Sequence, residues 1–271
     1  MTVFSASLRY EFHMQVRKRS VWIVPALILV LFVLIGGSLL RDLFDPRERP
    51  ADARSAVVAL AVQILGLLAI GFGGLLADRF VRDDRLRVAP ILDATPASPS
   101  ARLLGKYLGA AGATAIPIAV AYFGFAAAYA VDTGRPIAMA WALAAFGLVF
   151  VPGLLFVAAF ALAVPMIMPA PLFRVLFVGY WLWGNLVGPD LMPTLAQSVI
   201  HPLGSYPLQV FLGFHGLSGD QDVAGPVTGA TLNFLRPEPT PTTATLSIVL
   251  LLILATAALA GGQALRARRV R

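Results

Sequence analysis

The 271-residue chain has no cysteine, only two lysines (Lys18 and Lys106) among its 21 basic residues, and charged residues at just 13%. Without cysteine there are no disulfide staples, thiolate metal sites, lipidated cysteines or cysteine nucleophiles, and the redox compartment stays open. An ordinary soluble domain carries about 25% charged residues, so the scarcity of charge argues against a soluble globular enzyme. Catalytic signatures are missing as well. Gly105-Lys106 has Ser100 where a Walker A motif needs its first glycine and Tyr107 where it needs Ser or Thr, so the chain cannot hydrolyse ATP by that route. Neither an H-E-x-x-H zinc helix nor a G-x-S-x-G elbow occurs.

What the chain has instead is apolar length. Hydrophobic residues make up 58% of it and the mean hydropathy is +0.80. At about 20 apolar residues per bilayer-spanning helix, this content furnishes about six spans. The runs lie at about 21–40, 55–77, 108–131, 138–164, 172–187 and 246–264. The first, Val21 to Leu40, is longer than a signal-peptide h-region and precedes no small-residue cleavage site, so it is expected to be a retained helix. Pro152-Gly153 marks the expected kink of the fourth. The fold class expected is therefore an all-α polytopic membrane protein, a single domain over residues 1–271 with six transmembrane helices.

The net charge of +7 would point to nucleic acid in a soluble chain. In a membrane chain it signals positive-inside loops, and no nucleic-acid partner is expected. With six spans, one side carries 15 basic residues against five acids, a net of +10, and the other six against nine, a net of −3. The rule then puts both termini in the cytoplasm and the protein in the cell membrane. All 35 charged residues fall in loops or at span ends. Proton- and ion-coupled carriers depend on intramembrane ionisable groups, so that class is disfavoured. The polar side chains inside the spans are Gln63 in the second and Asn185 in the fifth, suited first to interhelical hydrogen bonding.

Three segments do not span. From Val3 to Arg19, Phe4, Leu8, Phe12 and Val16 recur every four residues with Arg9, Glu11, His13, Arg17 and Lys18 around the other faces, the pattern of an amphipathic interfacial helix. From Asp78 to Lys106, a stretch of mixed charge runs into a Pro-broken turn, a surface suited to a protein partner. Its Asp83-Asp84 pair could hold Mg2+ and a lipid diphosphate, but such a site needs further carboxylates or substrate phosphates in reach, and Arg82, Arg85 and Arg87 crowd this one. From Gly188 to Ala244, SVIHPLGSYPLQVFLGFHG is too broken by Pro202 and Pro207 to span. Short interfacial or re-entrant outer helices are expected there. His201 and His215, with no acid or cysteine close by in the pattern, are expected to be polar groups at the interface rather than metal ligands.

The order of these elements resembles the permease subunits of ABC-2 type exporters. RYEFHMQVRKRSVWI leads into the first span; Arg82-Asp83-Asp84, Ile91-Leu92, Thr95-Pro96-Ala97-Ser98 and Leu103-Leu104-Gly105-Lys106-Tyr107-Leu108-Gly109 then follow the second. The likeness covers most of the chain in topology and its first 110 residues in motif. It implies six helices per subunit, a dimer with a second copy or a related permease, and a separate cytoplasmic ATPase that binds ATP and Mg2+. This chain would hold no cofactor or metal and perform no catalysis. By the resemblance, Arg9, Glu11, Arg17, Arg82, Asp83, Asp84, Arg85, Thr95 and Pro96 would couple to the ATPase. Gln63 and Asn185 would line a pathway between the two subunits, suited to an amphipathic or lipid-like substrate. Ile200, Tyr206, Phe211 and Phe214 would form an outer gate. Two other classes compete: an intramembrane lipid-modifying enzyme, and a membrane assembly or regulatory subunit without transport.

Overall fold

The structure, a computed structural model, describes residues 2–35, 43–45, 52–80, 98–216 and 222–270. It is 76% helical, with no strand among the described residues. The helices are α1 (Val3–Val16), α2 (Arg19–Ile35), α3 (Ala53–Leu76), α4 (Pro99–Thr133), α5 (Ile137–Ala145), α6 (Val151–Ala163), α7 (Ala170–Leu186), α8 (Ser205–Val210) and α9 (Pro241–Val270). A π-helical turn, Phe146–Phe150, joins α5 to α6.

Among the described residues, four stretches are long and apolar enough to cross a membrane: Ala53–Leu76, Pro99–Thr133, Ile137–Met166 and Pro241–Leu265. α2 and α7 have 17 described residues each, at the short end of the roughly 17–25 that a span takes. Large apolar side chains face outward around the bundle, among them Leu27 at 62% exposure, Val175 at 71% and Val131 at 83%. An apolar exterior of this extent suits lipid rather than water.

α3 is the central helix. Of its most apolar stretch 78% is buried, against 28% for the peripheral α9. The aromatics of α7 pack onto it at four-residue spacing. Phe177 closes on Gly73, where a Cβ would lie 2.4 Å from the ring, and the Trp181 indole donates to the Gly66 carbonyl at 2.6 Å. Tyrosines supply similar links: Tyr122 Oη donates to the Val57 carbonyl on α3 at 3.1 Å and Tyr107 Oη to the Leu155 carbonyl on α6 at 2.8 Å. The sequence points to Gln63 and Asn185 for this role, yet Asn185 Nδ2 bonds to Trp181 O of its own helix.

The fourth apolar run leaves α geometry at residues 146–150, just ahead of Pro152-Gly153, where the kink is expected. Val151 N–H donates back five residues to Phe146 O, and Pro152 next to it has no N–H for the α ladder, so the turn widens into π geometry. The third run starts earlier than its apolar residues indicate. Ser98 caps α4 and Pro99 occupies its first turn, so nine residues precede the apolar run. At 1.5 Å per residue, its 35 residues reach about 52 Å, well beyond a hydrocarbon core of about 30 Å. Gly134, left-handed at φ 66°, ends it with Arg135 N–H on Ala130 O and Gly134 N–H on Val131 O, the Schellman arrangement.

Charged contacts mark the two ends of the bundle. At the basal end, Asp78 pairs with Arg174 at the start of α7, Glu11 with Arg79, and Gly262 of α9 meets Ala163 at the end of α6. At the opposite end, Asp52 caps α3, Arg54 lies 5.4 Å over the Trp141 ring of α5, and the backbone of Gly213 abuts the Arg54 guanidinium. Residues of the 187–240 segment fold over this end as a cap.

Candidate functional site

The basal end is organised by the seat of α1. Gly105 and Gly109, one turn apart on α4, let its backbone come close: a Cβ on Gly105 would lie 2.8 Å from Phe4 O, and one on Gly109 2.5 Å from Leu8 O. This is small-residue packing of the G-x-x-x-G kind. Glu11 and Gln15 lie at the bottom of the contact, buried, and Glu11 Oε1 accepts from Arg79 Nε at 2.8 Å. Both side chains of the pair are only 5% exposed. The helix is therefore clamped to the bundle rather than lying free at an interface. Its outer face presents Arg9, Tyr10, His13 and Arg17 along a shallow depression.

Of the residues that the resemblance assigns to coupling, Arg9 and Arg17 are on this outward face. Glu11 faces inward, so its part in any docking is to hold α1 in place. Arg82, Asp83, Asp84, Arg85, Thr95 and Pro96 lie outside the described residues. The segment that contains them is flanked by Arg79 and by the start of α4, and α1 bridges the two.

The second feature is a cavity of about 390 Å3 under the cap, between the cap-side ends of α3 and α7. Gln63 and Asn185 both line it, together with Gln197, His201 and Ser205 from the cap and an apolar wall including Val62, Leu67, Leu208 and Phe214. The cavity lies within one chain. Asn185 is 8% exposed and its Oδ1 has no protein partner. His201 is 6% exposed; its Nδ1 shares a hydrogen bond with Ser205 Oγ, and its Nε2 has no partner. Burial, reinforced by the positive charge of Arg236, pushes the His201 imidazole down to about 3, so it is neutral. Gln197 holds a left-handed backbone at φ 58°, a conformation uncommon in residues other than glycine.

Comparison with family models, with curated proteins and with solved structures returned no match to this chain. What the cap can do therefore has to be read from its own contacts.

Arg236 ties the cap together. It is fully buried, and its guanidinium donates to the carbonyls of Ala196 at 3.0 Å, Thr231 at 2.7 Å and Thr194 at 2.6 Å. Gln209 Oε1 accepts from the N–H groups of Val223 and Ala224. Pro202 O rests on α6, where a Cβ on Gly153 would lie 2.4 Å from it. The irregular chain satisfies its backbone through these side chains instead of a ladder.

The residues assigned to an outer gate divide. Phe214 lines the cavity, and Tyr206 is fully buried with its hydroxyl on Pro237 O at 2.6 Å. Ile200 packs with Tyr206 in a small second core, whereas Phe211 is 37% exposed. Between α7 and α9, where short outer or re-entrant helices are expected, the structure has the six-residue α8. His215 does have an acid beside it, Asp222 Oδ1 at 3.2 Å from Nδ1. His201 is an interior group and not an interfacial one. No cluster of three or more His, Asp or Glu able to hold a metal occurs among the described residues.

Proposed function

We propose that this chain is the membrane-spanning permease subunit of an ATP-driven exporter of the ABC-2 type. It crosses the cell membrane six times with both termini in the cytoplasm, pairs with a second permease, and is driven by a separate cytoplasmic ATPase. The observation that supports this most is the seat of α1. An amphipathic helix clamped by Gly105, Gly109 and the Glu11–Arg79 pair stands beside both ends of the 81–97 segment, with Arg9, Tyr10, His13 and Arg17 turned outward. A rigid basic and aromatic face at one end of an apolar bundle suits a soluble protein partner, and rigidity is what transmission of a partner's motion requires. Any shift that ATP binding imposes is limited by the partner's differential affinity for two states of the bundle. A loosely attached helix would dissipate it.

The test is purification of the tagged full chain from its native membrane in mild detergent, with mass spectrometry of what stays bound. A stoichiometric soluble subunit carrying a Walker A motif is the expected result. A preparation free of any ATPase, repeated after crosslinking, would overturn the reading.

A further inference from the structure

We propose that the cavity under the cap is a binding site for a neutral, hydroxyl-bearing amphiphile, whose head meets Asn185, His201 and Gln63 and whose chain lies on the apolar wall. Buried polar atoms in folded proteins nearly always find partners. Here two atoms on different elements, Asn185 Oδ1 on α7 and His201 Nε2 in the cap, are left without a protein partner and belong to residues that line one cavity. The strained backbone of Gln197 on the same wall is of the kind that accumulates at ligand sites.

The chemistry of the lining selects the head group. Asn185 Oδ1 only accepts. The His201 Nε2 donates or accepts according to the tautomer fixed by Ser205, and the half-buried Gln63 amide does both. A hydroxyl, donor and acceptor at once, matches all three. A phosphate or carboxylate offers acceptors only, opposes Asn185 Oδ1, and would be buried with no cation in the lining to pair: among the described residues the lining has no charged side chain, and each nitrogen of Arg236 already donates to a backbone carbonyl. An ammonium head finds no carboxylate among the described residues of the lining and stands near the positive charge of Arg236. Charges buried without partners are strongly disfavoured, so the neutral class remains. The volume falls within the usual range for small-molecule sites, and Val62, Leu67, Leu208 and Phe214 supply the surface for an alkyl chain.

This inference rests on the exporter reading only for the use made of the bound molecule, not for the binding itself. The experiment therefore uses the purified full chain in detergent without any ATPase. The probe is monodecanoylglycerol carrying a diazirine in its acyl chain, and labelled peptides are mapped by mass spectrometry. The expected result is labelling of the 62–67 and 196–214 peptides. Unlabelled monodecanoylglycerol should compete, and its phosphate ester of the same chain length should compete about tenfold less well. Asn185→Leu and His201→Phe should each lower labelling about tenfold. Gln63→Leu, on the central helix and close to isosteric, keeps the test readable if the histidine variant does not fold. Labelling spread over the lipid-facing surface, labelling unchanged in the folded variants, or equal competition by the phosphate ester would overturn the inference. Loss of the ATPase in the co-purification experiment would leave this result untouched.

Discussion

Glu11 on α1 and Arg79 just beyond the last turn of α3 form an ion pair buried at the base of the bundle, with Arg79 Nε 2.8 Å from Glu11 Oε1. Arg79 Nη1 has no partner there, so the pair is not fully compensated. Removing one member leaves a buried charge alone, a loss of about 3–5 kcal/mol, whereas replacing both with apolar groups of similar volume is often neutral or stabilising. Glu11→Ala and Arg79→Ala should each lower the thermal midpoint in detergent. The double variant Glu11→Leu/Arg79→Met should recover most of it. Additive losses in the double variant would show that the pair is not the clamp.

The glycine notch makes a separate prediction about the same helix. A side chain at Gly109 would meet the Leu8 backbone, not a flexible tip, so Gly109→Leu should lift α1 from α4. Because the chain has no cysteine, a single Gln15→Cys reports this cleanly: residue 15 is 2% exposed in the seated helix. Maleimide should modify it slowly in the wild-type background and at least about tenfold faster with Gly109→Leu, since modification tracks the open population. Equal rates would refute the seat.

The proposed coupling role predicts a division between insertion and activity. Charge reversal at Arg82 and Arg85 should leave membrane insertion intact while ATP hydrolysis by the complex no longer drives transport. Arg9→Glu with Arg17→Glu, on the outward face of α1, should weaken association with the ATPase. Normal partner binding and transport in both double variants would remove these residues from the interface.

The helical class and the apolar runs are legible in the sequence because each is a local pattern of composition and period. The Glu11–Arg79 pair and the notch are not, because they join segments 68 and about 100 residues apart. A trace of them is visible all the same: Phe4, Leu8, Glu11 and Gln15 follow helical spacing, so an acid falls on the face that also carries Phe4 and Leu8. Gln63 and Asn185 are legible as polar exceptions within apolar runs, and they share one cavity. His201 and Arg236 are harder to find, since their environment comes from a cap with little regular structure. The i, i+4 relation of His201 to Ser205, across Pro202, is the one local signal there.

Arg236 should be irreplaceable even by lysine. Its planar fork reaches three carbonyls in different directions, and an ammonium on a flexible stem cannot reproduce that geometry. Arg236→Lys and Arg236→Met should both open the cap, the second leaving the buried carbonyls of Thr194 and Ala196 unsatisfied at about 1–3 kcal/mol each. Limited proteolysis between residues 187 and 240 reads this directly, while α3 and α4 stay protected. A lysine variant as resistant as the wild type would mean that charge alone suffices.

His201 gives the cap a pH dependence whose sign is fixed by its burial. Folded, the imidazole is pushed down to about 3; unfolded, it returns to about 6.5. Between these values the unfolded state binds the extra proton, so stability rises with pH through this window. The contribution is intact above pH 6.5. It is lost as pH falls, by about 1.4 kcal/mol per unit, until the folded imidazole itself protonates near pH 3. Cap proteolysis or thermal unfolding measured from pH 7 to pH 4.5 should therefore show a steeper decline in the wild type than in His201→Gln, which has no group to titrate at this position. Parallel curves would place His201 in contact with water in the folded protein, and would also weaken the case for a neutral imidazole in the cavity.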